Sequence, residues 1–334
     1  MNLLVKASGS RPRLACEIAP EGVTAARAVL ADAPLESVAR APLAPGAVMP
    51  GLKPGNLPDR VAVIAAIRRA LESIDVRPSR GAVRPNSRGA DLTIIIPDAA
   101  VRVLLLDFDA LPAKLTEALP IVRFRLKKLV PFEVDDAVVS YQVMSSTRSN
   151  VRVLAVAIPR DILQEYETAV REAGFEPGAV LPSTLAALAG VAAAEASLVV
   201  NAGTTGVTTA ITREGVLLLH RSVDLQPAAV GVDPEIPPQL QQLSPDEIAG
   251  EIAQTVSVAV AYFEDTLSAP PSTIFSAGSL SADALGHVLS GNGYSEAGAV
   301  RVRELIDASA FGAGAVTGSI PRGSLAGVAG ALRG

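Results

Sequence analysis

The stretch from Ser197 to Ser222, SLVVNAGTTGVTTAITREGVLLLHRS, constrains the fold of this chain more than any other. Leu198, Val199 and Val200 form a short apolar run of the kind a buried strand makes. Asn201-Ala202-Gly203-Thr204-Thr205-Gly206 breaks it with a small polar turn. Val207 to Ile211 then resumes with β-branched residues that favour a second strand. Arg213-Glu214-Gly215 predicts a hairpin turn into a third strand over Val216 to Leu219. A strand, a small-residue loop and a strand returning beside it aim backbone N–H groups into a concavity that can hold phosphate. Glycine there lets the backbone approach a ligand closely. The same residues also make an ordinary hairpin, so the stretch alone leaves both readings open. A fainter copy, Leu14 to Val29, again reads strand, short turn, strand. Two such hairpins, one opening each half of the chain, predict a duplicated fold closing on a cleft.

With 334 residues the chain exceeds one typical core and predicts two lobes or several subdomains. Hydrophobic residues are 49% and charged residues 19%, enough for a sizeable core and against general disorder. A net charge of −5 argues against generic nucleic-acid binding. Cys16 is the single cysteine, so no disulfide framework exists. The opening MNLLVKASGSRPR lacks a signal-peptide core, and Pro182 and Glu195 spoil the apolar window Leu181 to Val200 as a membrane span. A cytoplasmic protein is expected.

Taken in order, Ala33 to Pro58 is a proline-rich excursion with room for one short strand. Arg60 to Ile74 predicts a helix, with Val61, Ile64, Ala65, Ile67, Leu71 and Ile74 apolar. Pro78 to Gly89 reads as a basic, flexible connector. Leu92 to Ile96 and Val101 to Leu106 are predicted strands, with Pro97-Asp98 as the turn between them. Asp107 and Asp109 lack a third nearby ligand and read as a solvated turn. Ala113 to Val130 predicts a helix with Leu115, Leu119, Val122, Leu126 and Leu129 on one face, stopped by Pro131. Arg123, Arg125, Lys127 and Lys128 suit its C-terminal dipole, or an acidic or membrane surface. Strands over Val138 to Met144 and Val151 to Ile158 precede a helix ending at Gly174, a left-handed cap. Ser183 is expected to cap a helix reaching about Ala194. Pro227 to Pro245 is a loop, and the SPDE run at Ser244 starts a helix to about Leu267. A strand over Ser272 to Ala277, a helix over Ser281 to Leu289, a strand near Val300 and a small-residue helix over Gly323 to Leu332 complete the chain. His220 and His287 have no neighbouring nucleophile and read as packing or surface residues, and neither Ser183 nor Ser279 has nucleophile-elbow context.

The order of these elements resembles the type IV pilus assembly PilM family, relatives of the cell-division protein FtsA. FRLKKLVPFEVDDAVVSYQV (Phe124 to Val143) is similar to the family's helix, Pro-Phe corner and Tyr-Gln-Val strand. VLAVAIPRDILQEYETAVREAGFEP (Val153 to Pro177), LPSTLAAL (Leu181 to Leu188), IAGEIAQTVSVAVAYFEDTL (Ile248 to Leu267) and the ending from Leu325 to Arg333 resemble further family landmarks. The resemblance implies an α/β, actin-like fold: duplicated RNase H-like lobes around a cleft, with a small inserted α+β subdomain. Residues 1–90 and 159–188 would form the first lobe, 91–158 the insert, and 189–334 the second lobe.

The implied cofactor is ATP with magnesium, and here the chain departs from the pattern. Active actin-like ATPases open each phosphate hairpin with Asp, whose carboxylates position magnesium and the attacking water. This chain has Glu17-Ile18-Ala19-Pro20 at the first hairpin, and Pro20 removes a backbone donor. Asn201 stands at the second, where Gly203, Thr204, Thr205 and Gly206 keep the phosphate-loop character, and the adenosine turn is reduced to Ala277-Gly278. Glu17, Asn201, Gly203, Thr204, Thr205, Gly206 and Gly278 are therefore the cofactor candidates, with no metal ligand or catalytic residue assigned. Binding without turnover and loss of both stay open. The implied function is a scaffold at the cytoplasmic face of the inner membrane, among other pilus assembly proteins. It would hold the cytoplasmic tail of a PilN-like bitopic protein, no nucleic acid, and the membrane only through that partner. Arg123, Lys127, Pro131 and Phe132 are the candidate partner contacts, with packing of the insert as their other reading. The alternatives are an active actin-like ATPase or kinase and a type II secretion component.

Overall fold

In the computed structural model, residues 12–30, 33–76, 91–191, 195–225, 243–292, 301–312, 315 and 320–333 are described. The connector at 78–89 and most of the loop after Pro227 lie outside them. Strands β1 (Leu14–Ala19), β2 (Gly22–Ala28) and β3 (Leu35–Pro42) form an antiparallel meander. Ala15, Cys16, Ala25 and Ala26 are fully buried, and their small side chains let layers pack on both faces. Helix α1 (Arg60–Glu72) begins at Asp59, whose carboxylate accepts from the Ala62 N–H at 3.0 Å. Its buried stripe is Val63, Ala66, Ile67, Ala70 and Leu71. Val61, expected on that stripe, is 79% exposed. It precedes Val63 by two residues, which on a helix is the far side.

Strand β4 (Asp91–Ile96) pairs in parallel with β1. It therefore belongs to the first sheet and does not open the insert, as placing the insert at residue 91 had required. Leu92, Ile94, Ile95 and Ile96 are all buried, and a strand apolar on both faces needs a central place between two layers. The chain next forms β5 (Arg102–Phe108), α2 (Leu115–Leu126), β6 (Ala137–Ser146) and β7 (Val151–Pro159). The strands make a separate antiparallel sheet ordered β5-β7-β6. Helix α2 is shorter than expected and buries the Ala118, Val122, Leu126 row, leaving Leu115 and Leu129 exposed at 61% and 48%. A row of residues four apart forms one ridge, and the two leucines fall off it. Helix α3 (Arg160–Glu172) ends as expected, with Gly174 at φ 95°.

Strand β8 (Glu176–Pro182) pairs in parallel with β4 and completes the first sheet, ordered β3-β2-β1-β4-β8. Helix α4 (Ser183–Ala187) is short and passes into a 3-10 turn at Leu188–Gly190. Ser183 does not cap it; Pro182 holds the cap position and the serine hydroxyl points elsewhere. The second half repeats the plan with β9 (Ser197–Ala202), β10 (Gly206–Arg213), β11 (Val216–Asp224), α5 (Pro245–Leu267), β12 (Thr273–Gly278), α6 (Ala282–Gly291), β13 (Arg301–Glu304) and α7 (Ala326–Ala331). Its sheet runs β11-β10-β9-β12-β13. Three antiparallel strands followed by two parallel ones recur in the same order, so the two halves are a structural duplication. The predicted capping box is present: Glu247 Oε2 accepts from the Ser244 N–H at 2.7 Å, and Ser244 Oγ accepts from the Glu247 N–H at 3.3 Å. Helix α7 lies on α4 and reaches both β1 and β12, so it ties the two halves together.

Candidate functional site

The duplication sets the tip of the β1–β2 hairpin against the β9–β10 loop. Between them lies a cleft enclosing about 80 Å³. Glu17, Asn201, Gly203, Thr205, Gly206 and Gly278 all line it, so six of the seven residues nominated from sequence meet in one place. Thr204 is exposed at the rim, and its backbone N–H points at Glu21 of the opposite hairpin at 2.6 Å. Gly278 has φ 85°, and a Cβ there would lie 2.4 Å from Asn201 Oδ1 and 2.5 Å from the Ala202 carbonyl oxygen. Only glycine lets this turn close on the β9 end.

Asn201 and Glu17 are joined across the cleft by Ser183. The serine hydroxyl donates to Glu17 Oε1 at 2.5 Å and accepts from Asn201 Nδ2 at 3.0 Å. Asn201 Nδ2 also reaches Thr184 Oγ1 at 2.9 Å, and Thr184 Oγ1 donates to Asp98 Oδ2 at 2.5 Å. Asp98 is buried and additionally accepts from the Thr184 N–H at 3.2 Å. Burial pushes the Glu17 carboxyl up to about 7; the Ser183 bond opposes this, and Asp98 and Glu21 nearby reinforce it. Helix α7 makes room for Glu17 with Gly327, whose Cβ would fall 2.5 Å from Glu17 Oε2. His220 Nε2 stands 3.9 Å from Asp98 Oδ1, but burial lowers the imidazole pKa, so the ring is neutral and the contact is not an ion pair. His220 is thus the packing residue expected of it.

Glu21, Asp98, Ser183, Thr184 and Ser279 are site residues that sequence reasoning passed over. Pro97-Asp98 read as a turn and Ser183 as a helix cap, because each is locally ordinary. Asp98 meets Thr184, 86 positions away, and Ser183 meets Glu17, 166 positions away.

Magnesium and a nucleoside triphosphate do not fit this donor set. Glu17, its pKa raised to about 7, is only partly ionised at neutrality and already engaged by Ser183, Asn201 carries no charge, and Pro20 has no N–H to offer. No group of three or more metal-ligating side chains occurs among the described residues. A ligand pocket usually offers about 300–1,000 Å³, and this one encloses about 80 Å³. Millimolar ATP is expected to leave the melting temperature unchanged with or without magnesium. A ligand at a hundredfold excess over Kd would stabilise by about 2.7 kcal/mol, so a clear magnesium-dependent rise in a thermal-shift titration would refute this.

No protein-family model matches the chain, and no curated protein matches it in sequence. A chain of the PilM–PilN type IV pilus biogenesis complex superposes with a TM-score of 0.67 at 17% identity, covering 96% of this chain and 97% of that one. The fold is actin-like, of the PilM kind. More distant are the ethanolamine utilization protein EutJ from Carboxydothermus hydrogenoformans, at TM-score 0.47, 10% identity and 98% and 91% coverage, and the cytoplasmic domain of EpsL from the Vibrio cholerae type II secretion system, at 0.44, 12%, and 79% and 81%.

A second cavity of about 270 Å³ lies where the β5-β7-β6 sheet meets the first sheet and α3. Val138 and Ser140 of β6, Val156 and Ile158 of β7, Leu163 of α3 and Val180 of β8 line it. Val138 pairs with Ile158 and Ser140 with Val156, so the groove lies between one face of the β6–β7 pair and β8, the outer strand of the first sheet. None of Arg123, Lys127, Pro131 and Phe132 lines it. Arg123 donates from Nη1 to the Val134 carbonyl at 2.7 Å and from Nη2 to the Ala137 carbonyl at 2.9 Å. Lys127 pairs with Asp135 at 2.6 Å, Phe132 packs on the core beneath α2, and Pro131 is exposed. Asp107, read as solvated, is held by Arg152 at 3.0 Å.

Proposed function

We propose that this chain is an actin-like scaffold of a type IV pilus inner-membrane assembly complex. It holds the cytoplasmic tail of a PilN-like bitopic protein in the groove between β6 and β8. Nucleotide binding in the cleft is weak or lost. The observation that carries this reading is the groove between the outer strand β8, an edge of the first sheet, and the apolar face of β6 and β7. An extended peptide added to such an edge gains main-chain hydrogen bonds, while alternate side chains enter the apolar pocket. The likeness to a chain of the PilM–PilN complex supports the choice of partner. No described helix is long and apolar enough to cross a membrane, in keeping with attachment through the partner. Arg123 then serves the packing of the insert, and Lys127, Pro131 and Phe132 lie outside the peptide contact.

Isothermal titration with a synthetic peptide of the cytoplasmic tail of a PilN-like bitopic protein tests the reading. Val138→Asp puts a charge into the groove and is expected to weaken binding at least about tenfold, the scale of a central interface residue. Lys127→Ala should bind as the parent protein does. Equal affinity for Val138→Asp, with its melting temperature preserved, would remove the groove from the proposal.

A further inference from the structure

We propose that Glu21 is a built-in anion that fills the phosphate-type cradle of the second hairpin, latches the two lobes together and keeps phosphate ligands out. The β9–β10 loop presents the Thr204 N–H as a loop amide would be presented to a phosphate oxygen. Glu21 Oε1 accepts it at 2.6 Å, and the same oxygen accepts from Ser279 Oγ at 3.1 Å. That oxygen also lies 3.0 Å from where a Cβ on Gly203 would stand, so the carboxylate sits directly against the glycine that keeps the loop open. One carboxylate oxygen thus takes a backbone amide and a hydroxyl from two separate turns of the second lobe.

The first hairpin is built to deliver this group. Gly22, next in sequence, has φ 153°, and a Cβ there would come within 2.7 Å of the Ala41 carbonyl oxygen. The Glu21 carbonyl itself accepts from the Leu43 N–H at 3.4 Å. The tip is therefore clamped against the end of β3, with Glu21 projecting into the opposite lobe. Hydrogen bonds to an ionised acceptor are roughly twice as strong as neutral ones. With Glu21 in place its carboxylate occupies the Thr204 amide and the Ser279 hydroxyl that a phosphate oxygen would use. An incoming phosphate has to take the Thr204 amide from Glu21, and the lobes have to part for it to do so. The ligand class the cradle would accept is inorganic pyrophosphate or the phosphates of a nucleotide.

The test compares the parent chain with Glu21→Ala and with Glu21→Gln, which keeps the shape and an acceptor but not the charge. Hydrogen exchange at the Thr204 amide should be slow in the parent and at least about tenfold faster in Glu21→Ala, the scale of one charge-assisted hydrogen bond. Titration with magnesium-free pyrophosphate should be silent for the parent, detectable for Glu21→Gln and strongest for Glu21→Ala. Unchanged Thr204 exchange overturns the latch. Equal pyrophosphate binding by parent and Glu21→Ala, or binding by neither variant, overturns the exclusion. Affinity for the partner-tail peptide reads the groove independently, so the two proposals fail separately.

Discussion

Gly330→Ala is expected to destabilise the protein by about 3 kcal/mol, at the upper end of the usual cost of overpacking a core. A Cβ at this position would stand 1.9 Å from the Ala186 carbonyl oxygen, 2.8 Å from its carbon and 3.3 Å from the Ala187 Cα. All three are backbone atoms, so no rotamer change relieves the clash. Helices α4 and α7 have to move apart, and Ala186, Ala187, Val328 and Ala331 around them are buried. Because α7 also touches β1 and β12, the displacement loosens the joint between the lobes. Gly250→Ala is the matched control. Nothing lies within 4 Å of its Cβ position, and it sits inside α5. Alanine there should stabilise by up to about 1 kcal/mol through helix propensity. Urea denaturation of both variants beside the parent decides the matter, and a Gly330→Ala midpoint equal to the parent's would show that the α4–α7 contact yields freely.

Glu17→Gln is expected to make the protein more stable above neutrality, by up to about 3 kcal/mol. The Glu17 carboxyl is raised from its ordinary 4.5 to about 7, chiefly by burial. Between those values the folded state holds a proton that the unfolded state has released, so stability falls as pH rises through this window. The Glu17 contribution is fully present below about 4.5 and lost above about 7. Glutamine keeps an oxygen for the Ser183 hydroxyl and cannot ionise. The difference between parent and variant should therefore be small near pH 4 and largest near pH 8, in denaturant titrations run across that range. Parallel pH profiles for the two proteins would show that Glu17 remains ionised and solvated in the folded state.

Much of the site was legible because its signals are local. Gly203 to Gly206 announces a loop that brings amides close to a concavity, and Glu17 and Asn201 occupy the ends of strands that precede the two turns. Asn201 in place of an acid already argued for lost metal chemistry, and the structure adds that its amide is spent on Ser183 and Thr184. Glu21 was not legible. Between Pro20 and Gly22 it reads as an ordinary turn acid, and nothing nearby in sequence points to an amide 183 positions away. The groove was legible only in part. Its strands and helix were expected as elements, but none of Val138, Ser140, Val156, Ile158, Leu163 and Val180 was among the partner contacts named from sequence.

The sequence by itself determined the hairpins, the Ser244 capping box, the left-handed Gly174 cap and the repeat of one strand plan in both halves. These follow from periods of two and 3.6 residues, from turn chemistry and from caps, all of which act within a few positions along the chain. Only the tertiary structure decided that β4 lies inside the first sheet, that Ser183 bridges Glu17 to Asn201, and that Glu21 stands in the second loop. Those outcomes depend on which buried surfaces find each other over 78 to 183 positions. A carboxylate carries no mark in sequence of the amide it will meet. The packing of α7 between the lobes brings the hairpins together, and with them the chemistry of the cleft.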